Sequence, residues 1–381
     1  MFKQKKTGDN WKLFSLLLFI TVTLTLISPL PAVGEEQNSE YVKGQIVYSP
    51  SASEISPDSF VTDVKVQIVE GTLAGKIFDV PIPNQPPYSM TVEKGDKVMV
   101  IIERSSSPPT VGIDDYYRLS WLLPILLISI LPVIIVGGKK GLAALGALAV
   151  TVFTIFGITT RILLKGYPPV ITGILACAII TTLTLFIISG KGKKTIVAVS
   201  GTLGGLCCAA LLAWFATWTL HLSGLSGHES IFLQGLDLKL DFKGLLLTAM
   251  IIGALGAVMD VCMSIASSLE ELALKNPDIS PSSLLSSGLK IGSDMLGTMT
   301  NTLVLAYTGS SLTLILLIEA QGAEFPLLRL MNMEFICVEI VRSASGLFGM
   351  ATAIPVSALV ASLLFTKAKR QTQTVNVRSK K

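Results

Sequence analysis

The sequence predicts a mostly α, polytopic helical membrane protein of seven or eight spans, with a small N-terminal β-rich domain outside the membrane. Three observations predict it. Half of the 381 residues are hydrophobic and only 15% are charged, where a soluble domain carries about 25%. The apolar residues gather in blocks long enough to cross a hydrocarbon layer of ~30 Å at ~1.5 Å per helical residue. Between the first block and the rest lies a polar, acidic stretch with strand signals.

Residues 1–12 are polar and basic, and an apolar run from Leu13 to about Leu30 follows. Residues 1–34 are either a retained signal anchor or a secretory signal cut before Glu35, with Ala32 and Gly34 as the small residues of the site. Either way, residues 35–118 are delivered outside. Within them Val61–Val69 and Lys76–Val80 are rich in β-branched or aromatic residues, and Gly71–Gly75 reads as the hairpin turn between them. Glu93–Asp96 turns the chain into a further strand at Lys97–Ile102. Four to six strands in so short a stretch fit a small barrel or sandwich. Pro81, Pro83, Pro86 and Pro87 predict one stiff, extended loop.

Residues 119–366 read as the membrane domain, with spans near 119–137, 141–163, 168–189, 195–221, 244–267, 291–318 and 345–366. Lysine placement orients them. Lys139 and Lys140, Lys191, Lys193 and Lys194, Lys275 and Lys290, and the basic tail 367–381 all fall on one side, which is therefore cytoplasmic. Both termini come out on that side if the first span is retained. Residues 331–344 put Glu334, Glu339 and Arg342 on one side of a helix. They read as either an interfacial helix or the start of the last span. In the largest cytoplasmic loop, Asn276-Pro277-Asp278 ends one helix, and Ser280-Pro281 is an N-cap with proline at N1.

Two stripes carry the functional reading. Gly253, Gly256, Asp260, Ser264, Ser267 and Glu271 fall along one helical face, and Lys290, Asp294, Thr298, Asn301 and Thr308 along another. A carboxylate within hydrocarbon must be paired, protonated or hydrated. Asp260, deep in its span, reads as a protonatable or cation-binding group, or as a structural carboxylate bonded to a neighbouring helix. Asp294 reads as lying within a turn of the cytoplasmic edge, where Lys290 can pair with it. Thr298 and Asn301 fit either a polar seam or interhelical bonding. The polar run Gly297–Thr302 is a place where a transporter helix can break. Gly201, Gly204, Gly205, Gly253 and Gly256 predict close helix packing, and Glu339 with Arg342 forms a second polar pair.

Other chemistries are poorly supported. His221 and His228 with Glu229 make a weak metal signal, better read as a solvated loop. HExxH, GxSxG and Walker A patterns are absent from the sequence, so the chain is read as no enzyme and as needing no cofactor and no metal. The net charge of +4 is small and sits at membrane edges, which argues against nucleic acid. The expected partners are the lipid bilayer, a small substrate or ion, and either a second copy of the chain or an envelope protein.

The stretches GALGAVMDVCMSIASSLEEL, SGLKIGSDMLGTMTNTLVLAYTGSSL and MEFICVEIVRSASGLFGMATAIPVSALVAS resemble the YibE/F family of bacterial multi-pass membrane proteins, over about residues 40–366. The resemblance implies residence in the bacterial plasma membrane and carries over no catalytic residue. The layout from the Met-Asp-Val stretch through the Thr/Asn-rich span is also similar to SecD-type and resistance–nodulation–division proteins, which use intramembrane carboxylates in proton coupling. The combined expectation is a permease- or exporter-like protein with a proton- or cation-responsive seam around Asp260 and Asp294. The alternative is a non-transporting scaffold, assembly factor or envelope sensor.

Overall fold

The computed structural model of the chain describes residues 39–50, 61–83, 90–104, 109–236, 238–321 and 326–378. The expected signal segment, Pro86 and Pro87 lie outside these residues, as do the side chains of the C-terminal tail. The chain divides into two compact units at Gly138.

The N-terminal unit contains one antiparallel sheet: β1 (Ser39–Tyr48), β2 (Val61–Ile68), β3 (Ile77–Pro83), β4 (Lys97–Glu103) and β5 (Thr110–Tyr116), in the order β3-β2-β1-β4-β5. The edges β3 and β5 approach each other, so the sheet curls into a half-closed barrel. Alternation decides its inner face. Val64, Val66 and Ile68 of β2, and Val98, Val100 and Ile102 of β4, are almost completely buried. Gly44, central in β1, is needed there, since a Cβ would stand 2.6 Å from Val100 and 2.7 Å from Val66.

Gly71 and Gly75 bracket the expected β2–β3 turn with φ of 95° and 84°. Pro81 and Pro83, however, are in β3 and not in a loop. An edge strand tolerates proline because one row of its N–H groups needs no partner. Thr72 and Arg104 both hydrogen-bond the Glu40 carboxylate and hold it below the usual carboxylate range.

From Leu119 the chain is helical. Helix α1 (Leu119–Val152) contains Gly138 in a non-helical conformation, φ 51° and ψ −126°, in the break expected between the spans 119–137 and 141–163. It continues through a π-helical turn, Phe153–Thr159, to Leu164. Then follow α2 (Pro169–Ser189), α3 (Lys193–Thr219), α4 (His228–Gly235), α5 (Phe242–Lys275), α6 (Pro281–Ser310), α7 (Leu312–Gln321), α8 (Leu327–Met331) and α9 (Glu334–Arg378).

Among the described residues, five helices are long and apolar enough to cross a membrane, or six if α6 and α7, bent by 65° at Ser311, count as one. The sequence reading expected seven spans here. It separated 119–137 from 141–163, and the non-helical Gly138 stands in that break; the two pieces are counted together as Leu119–Leu164 among the five. Residues 331–344 resolve in favour of the last span, because α9 begins at Glu334 and runs on without interruption.

The C-terminal unit is organised around α9, which packs against α3, α5 and α6. Its core joins Val197, Leu206, Val258, Val261, Ile265, Leu269, Met350 and Ala353. In lipid, apolar burial alone does not select partners, and small residues let backbones approach. The helices use this fully. Cβ atoms placed at Gly201 and Gly205 of α3 would collide with Ser357 and Ala353 of α9, and at Gly288 and Gly292 of α6 with Ala358 and Ile354 of α9.

Candidate functional site

Helices α5 and α6 form an antiparallel hairpin whose ends are set by local chemistry. Asp241 caps α5 by accepting from the N–H of Gly244 at 3.0 Å. Ser280 caps α6 by accepting from Ser283 at 3.1 Å, with Pro281 at N1. Both features at the Ser280 end follow the sequence reading.

α6 starts at Pro281 and is unbroken to Ser310, so Asp294 lies ~20 Å along it, at ~1.5 Å per residue. Gly297–Thr302 stays helical, and the break falls at Ser311. Lys290 and Asp294 form no ion pair; such a pair would be a surface contact of little strength.

Val258, Val261, Cys262 and Ile265 occupy the buried face of α5, which leaves Gly253, Gly256, Asp260 and Glu271 on the opposite, exposed face. Ser264 and Ser267 are half-buried at its margin. On α6 only Leu284, Gly288, Gly292 and Leu303 are buried, while Asp294, Gly297, Thr298, Asn301 and Thr302 are exposed. Two contacts fix the hairpin register: Gly253 beside the Tyr307 hydroxyl, and Gly288 beside Leu269. Equal steps inward from either contact bring Asp260 level with Gly297–Thr300, and Asp294 one to two turns nearer the loop. The residues of the expected seam therefore lie at overlapping levels along the two helices.

Their bonding is sparse. Among the described residues Asp260, Asp294 and Asn301 make no hydrogen bond or ion pair. Thr298 donates to the carbonyl of Met295, and Thr302 to that of Thr298, each within its own helix. No Cβ placed at Gly256 or Gly297 meets anything within 4 Å. The close packing expected at Gly256 is thus not made, and the face has room.

Glu339 and Arg342 meet as expected for residues three apart on a helix, at 2.6 Å, each side chain 26% exposed. Tyr307 stands nearby on α6. Its hydroxyl and Glu339 Oε2 are both buried without a hydrogen-bond partner among the described residues. The sequence reading passed over Tyr307; its signal was a phenol inside a span otherwise punctuated by Thr and Ser.

Glu334 opens α9. It accepts from the Ser223 N–H at 2.6 Å, the Ser223 hydroxyl at 2.9 Å and the Gly224 N–H at 3.0 Å. The carboxylate fixes the loop after α3, where His221 holds a left-handed φ of 54°. Glu334→Ala is expected to lower stability by about 2 kcal/mol, since charged hydrogen bonds are lost and two loop amides are left without a partner; the midpoint of thermal unfolding of the purified protein measures it. Among the described residues no three His, Cys, Asp or Glu side chains cluster as a metal site would require.

The family profile of YibE/F-like proteins matches residues 125–367. The chain belongs to the YibE/F-like family. The match covers α5, α6 and α9 as far as residue 367, and so every residue of the hairpin and the Glu339–Arg342 pair. It begins after the sheet, so the β-domain, which the sequence resemblance included, is not part of it. No curated protein and no solved structure matches the chain.

Proposed function

We propose that this YibE/F-like protein is a permease- or exporter-like protein of the bacterial plasma membrane, non-enzymatic, with seven or eight spans. Its β-domain lies outside, and its C-terminus, together with a retained N-terminus, lies in the cytoplasm. In this reading the α5–α6 hairpin carries a proton- or cation-responsive seam of Asp260, Ser264, Ser267, Asp294, Thr298 and Asn301. The observation that carries it is Asp260: a carboxylate midway along an apolar helix, exposed, without a partner, and level with the polar Gly297–Asn301 stretch. A structural carboxylate would be bonded to a neighbouring helix. A carboxylate that must gain and lose a proton or cation needs an open face.

The test uses the full chain in liposomes, with internal pH followed under an imposed potential while candidate cations are added. Wild type should show flux, and Asp260→Asn should reduce its initial rate at least about tenfold, or ~1.4 kcal/mol in barrier, with an unchanged unfolding midpoint. Equal flux in both proteins would remove Asp260 from the path.

One observation favours a second reading. Gly256 and Gly297 leave open exactly the kind of small-residue surface on which another helix can dock. A scaffold or assembly factor, as a homo-oligomer or with an envelope protein, would use it. In that case Asp260→Asn would leave flux absent in both proteins and would change the oligomer's mass instead.

A further inference from the structure

We propose that the groove between the end of the α1 stretch and α2 seats an anionic phospholipid, with an acyl chain along the groove and the phosphate at a cluster of Arg161, Lys165, Lys239 and Lys243. The inference is independent of the Asp260 seam.

The groove follows a helical hairpin. Its first arm is the π-helical turn Phe153–Thr159 and the helix that continues to Leu164; its second is α2 from Pro169. Rare π turns often stand at functional sites. Ile158 and Ile162 line the groove from one arm, and Ile171, Leu175 and Ile179 from the other. From Pro168 to Ile179 it runs ~16 Å, at ~1.5 Å per residue, which is half of a ~30 Å hydrocarbon layer and so the depth of one leaflet. Its volume is about 460 Å³. Ile171 and Leu175 are 60% and 58% exposed, so the groove opens sideways, as a lipid-facing surface does.

Charge names the occupant. Lys165 and Tyr167 line the groove at the hairpin tip, and Arg161 stands one turn before Lys165 on the same helix. The connection into α5 meets this tip. A Cβ at Gly166 would stand 3.8 Å from the Lys239 carbonyl oxygen, and one at Gly244 would stand 3.2 Å from Pro169 Cδ, which brings Lys243 alongside. All four cations are exposed, and none forms an ion pair among the described residues. Asp241 is the one described carboxylate of that connection, and it is engaged in capping Gly244 at 3.0 Å. The excess is positive. It lies at the end of the helices opposite Lys191, Lys193 and Lys194, on the side where short loops carry few cations. Four gathered there at the mouth of an apolar groove match a ligand with an anionic head and a hydrocarbon tail.

The full chain in detergent is titrated with phosphatidylglycerol or phosphatidylcholine of identical acyl chains, and bound lipid is counted by native mass spectrometry. Wild type should hold one phosphatidylglycerol at least about tenfold more tightly than phosphatidylcholine. Lys165→Gln and Lys239→Gln should each weaken phosphatidylglycerol about fivefold, the effect of one cation beside an anionic headgroup, and leave phosphatidylcholine unchanged. Leu175→Trp, which fills the groove from an exposed wall position, should weaken phosphatidylglycerol about tenfold with an unchanged unfolding midpoint. The pair Lys139→Gln/Lys140→Gln, exposed cations before the first arm, should change nothing. The proposal is overturned by equal binding of the two lipids, by full phosphatidylglycerol affinity in the Lys165→Gln/Lys239→Gln double variant, or by an equal loss in the Lys139→Gln/Lys140→Gln pair, which would mean attraction to charge anywhere on the chain. Full affinity in both Leu175→Trp and Ile171→Trp overturns it as well, since the cations would then hold a phosphate without its lipid tail.

Discussion

Gly205→Leu is expected to cost the protein its folded helical core, whereas the same substitution at Gly256 is expected to leave it intact. A Cβ at Gly205 would lie 2.6 Å from the Ala353 Cβ, 2.6 Å from the Gly349 carbonyl oxygen and 3.0 Å from Val258. Two of these atoms belong to the central helix α9, one of them to its backbone, so no side chain can rotate away to make room. The helices must separate. That forfeits the interdigitation of Ala209, Val258 and Met350 in the same layer, and overpacking of this kind costs about 3 kcal/mol or more.

At Gly256 nothing lies within 4 Å. A leucine there even gains the ~0.8 kcal/mol by which glycine disfavours a helix interior. The yield of monodisperse protein after extraction, and its unfolding midpoint, should fall sharply for Gly205→Leu and hold or rise for Gly256→Leu. Equal behaviour of the two variants would mean that the α3–α9 contact is not the one described. On the transport reading, Gly256→Leu also narrows the face beside Asp260, so a stable protein with reduced flux is the informative outcome.

The two glycines also show what the sequence could tell and what it could not. Both stand in small-residue patterns in apolar helices, and periodicity places each on a face. Whether a neighbour covers that face is a tertiary fact. The same holds for Asp260 and Asp294: their helical stripes were legible, but not that both would be exposed. The start of α6 was legible, since Ser280 and Pro281 mark it, and the tight Gly288 contact to Ala358 and Leu269 holds its first turns in the core.

Helix ends that depend on a cap are written locally and were read correctly at Ser280 and Asn276. Strand proline at Pro81 and Pro83 was not, because edge position depends on the order of the whole sheet. The Glu339–Arg342 pair needed only a spacing of three. Tyr307, whose interest lies in the partner it lacks, could be found only with coordinates.

Arg342→Ala is expected to destabilise the protein by about 3 kcal/mol, well beyond the loss of an exposed ion pair. The Glu339 carboxylate has one oxygen on Arg342 and the other buried without a partner. Removing the guanidinium leaves a charge three-quarters buried with no neutralising group, and breaking such a pair from one side costs about 3–5 kcal/mol when fully buried. The remaining exposure, 26% for each side chain, places this pair at the lower end.

The pair itself is worth much less than that, because forming it also desolvates two charges. Adding Glu339→Leu to Arg342→Ala should therefore recover most of the loss, since a neutral side chain of similar bulk meets the apolar wall of Ile336, Ile340 and Leu347 without the desolvation cost. Unfolding midpoints of wild type, both single variants and the double variant form a cycle that isolates the coupling. A strong negative coupling, with the double variant more stable than Arg342→Ala, establishes that the carboxylate is the destabilising element once it is unpaired. A double variant as unstable as the sum of the two singles would mean that Arg342 stabilises α9 through other contacts.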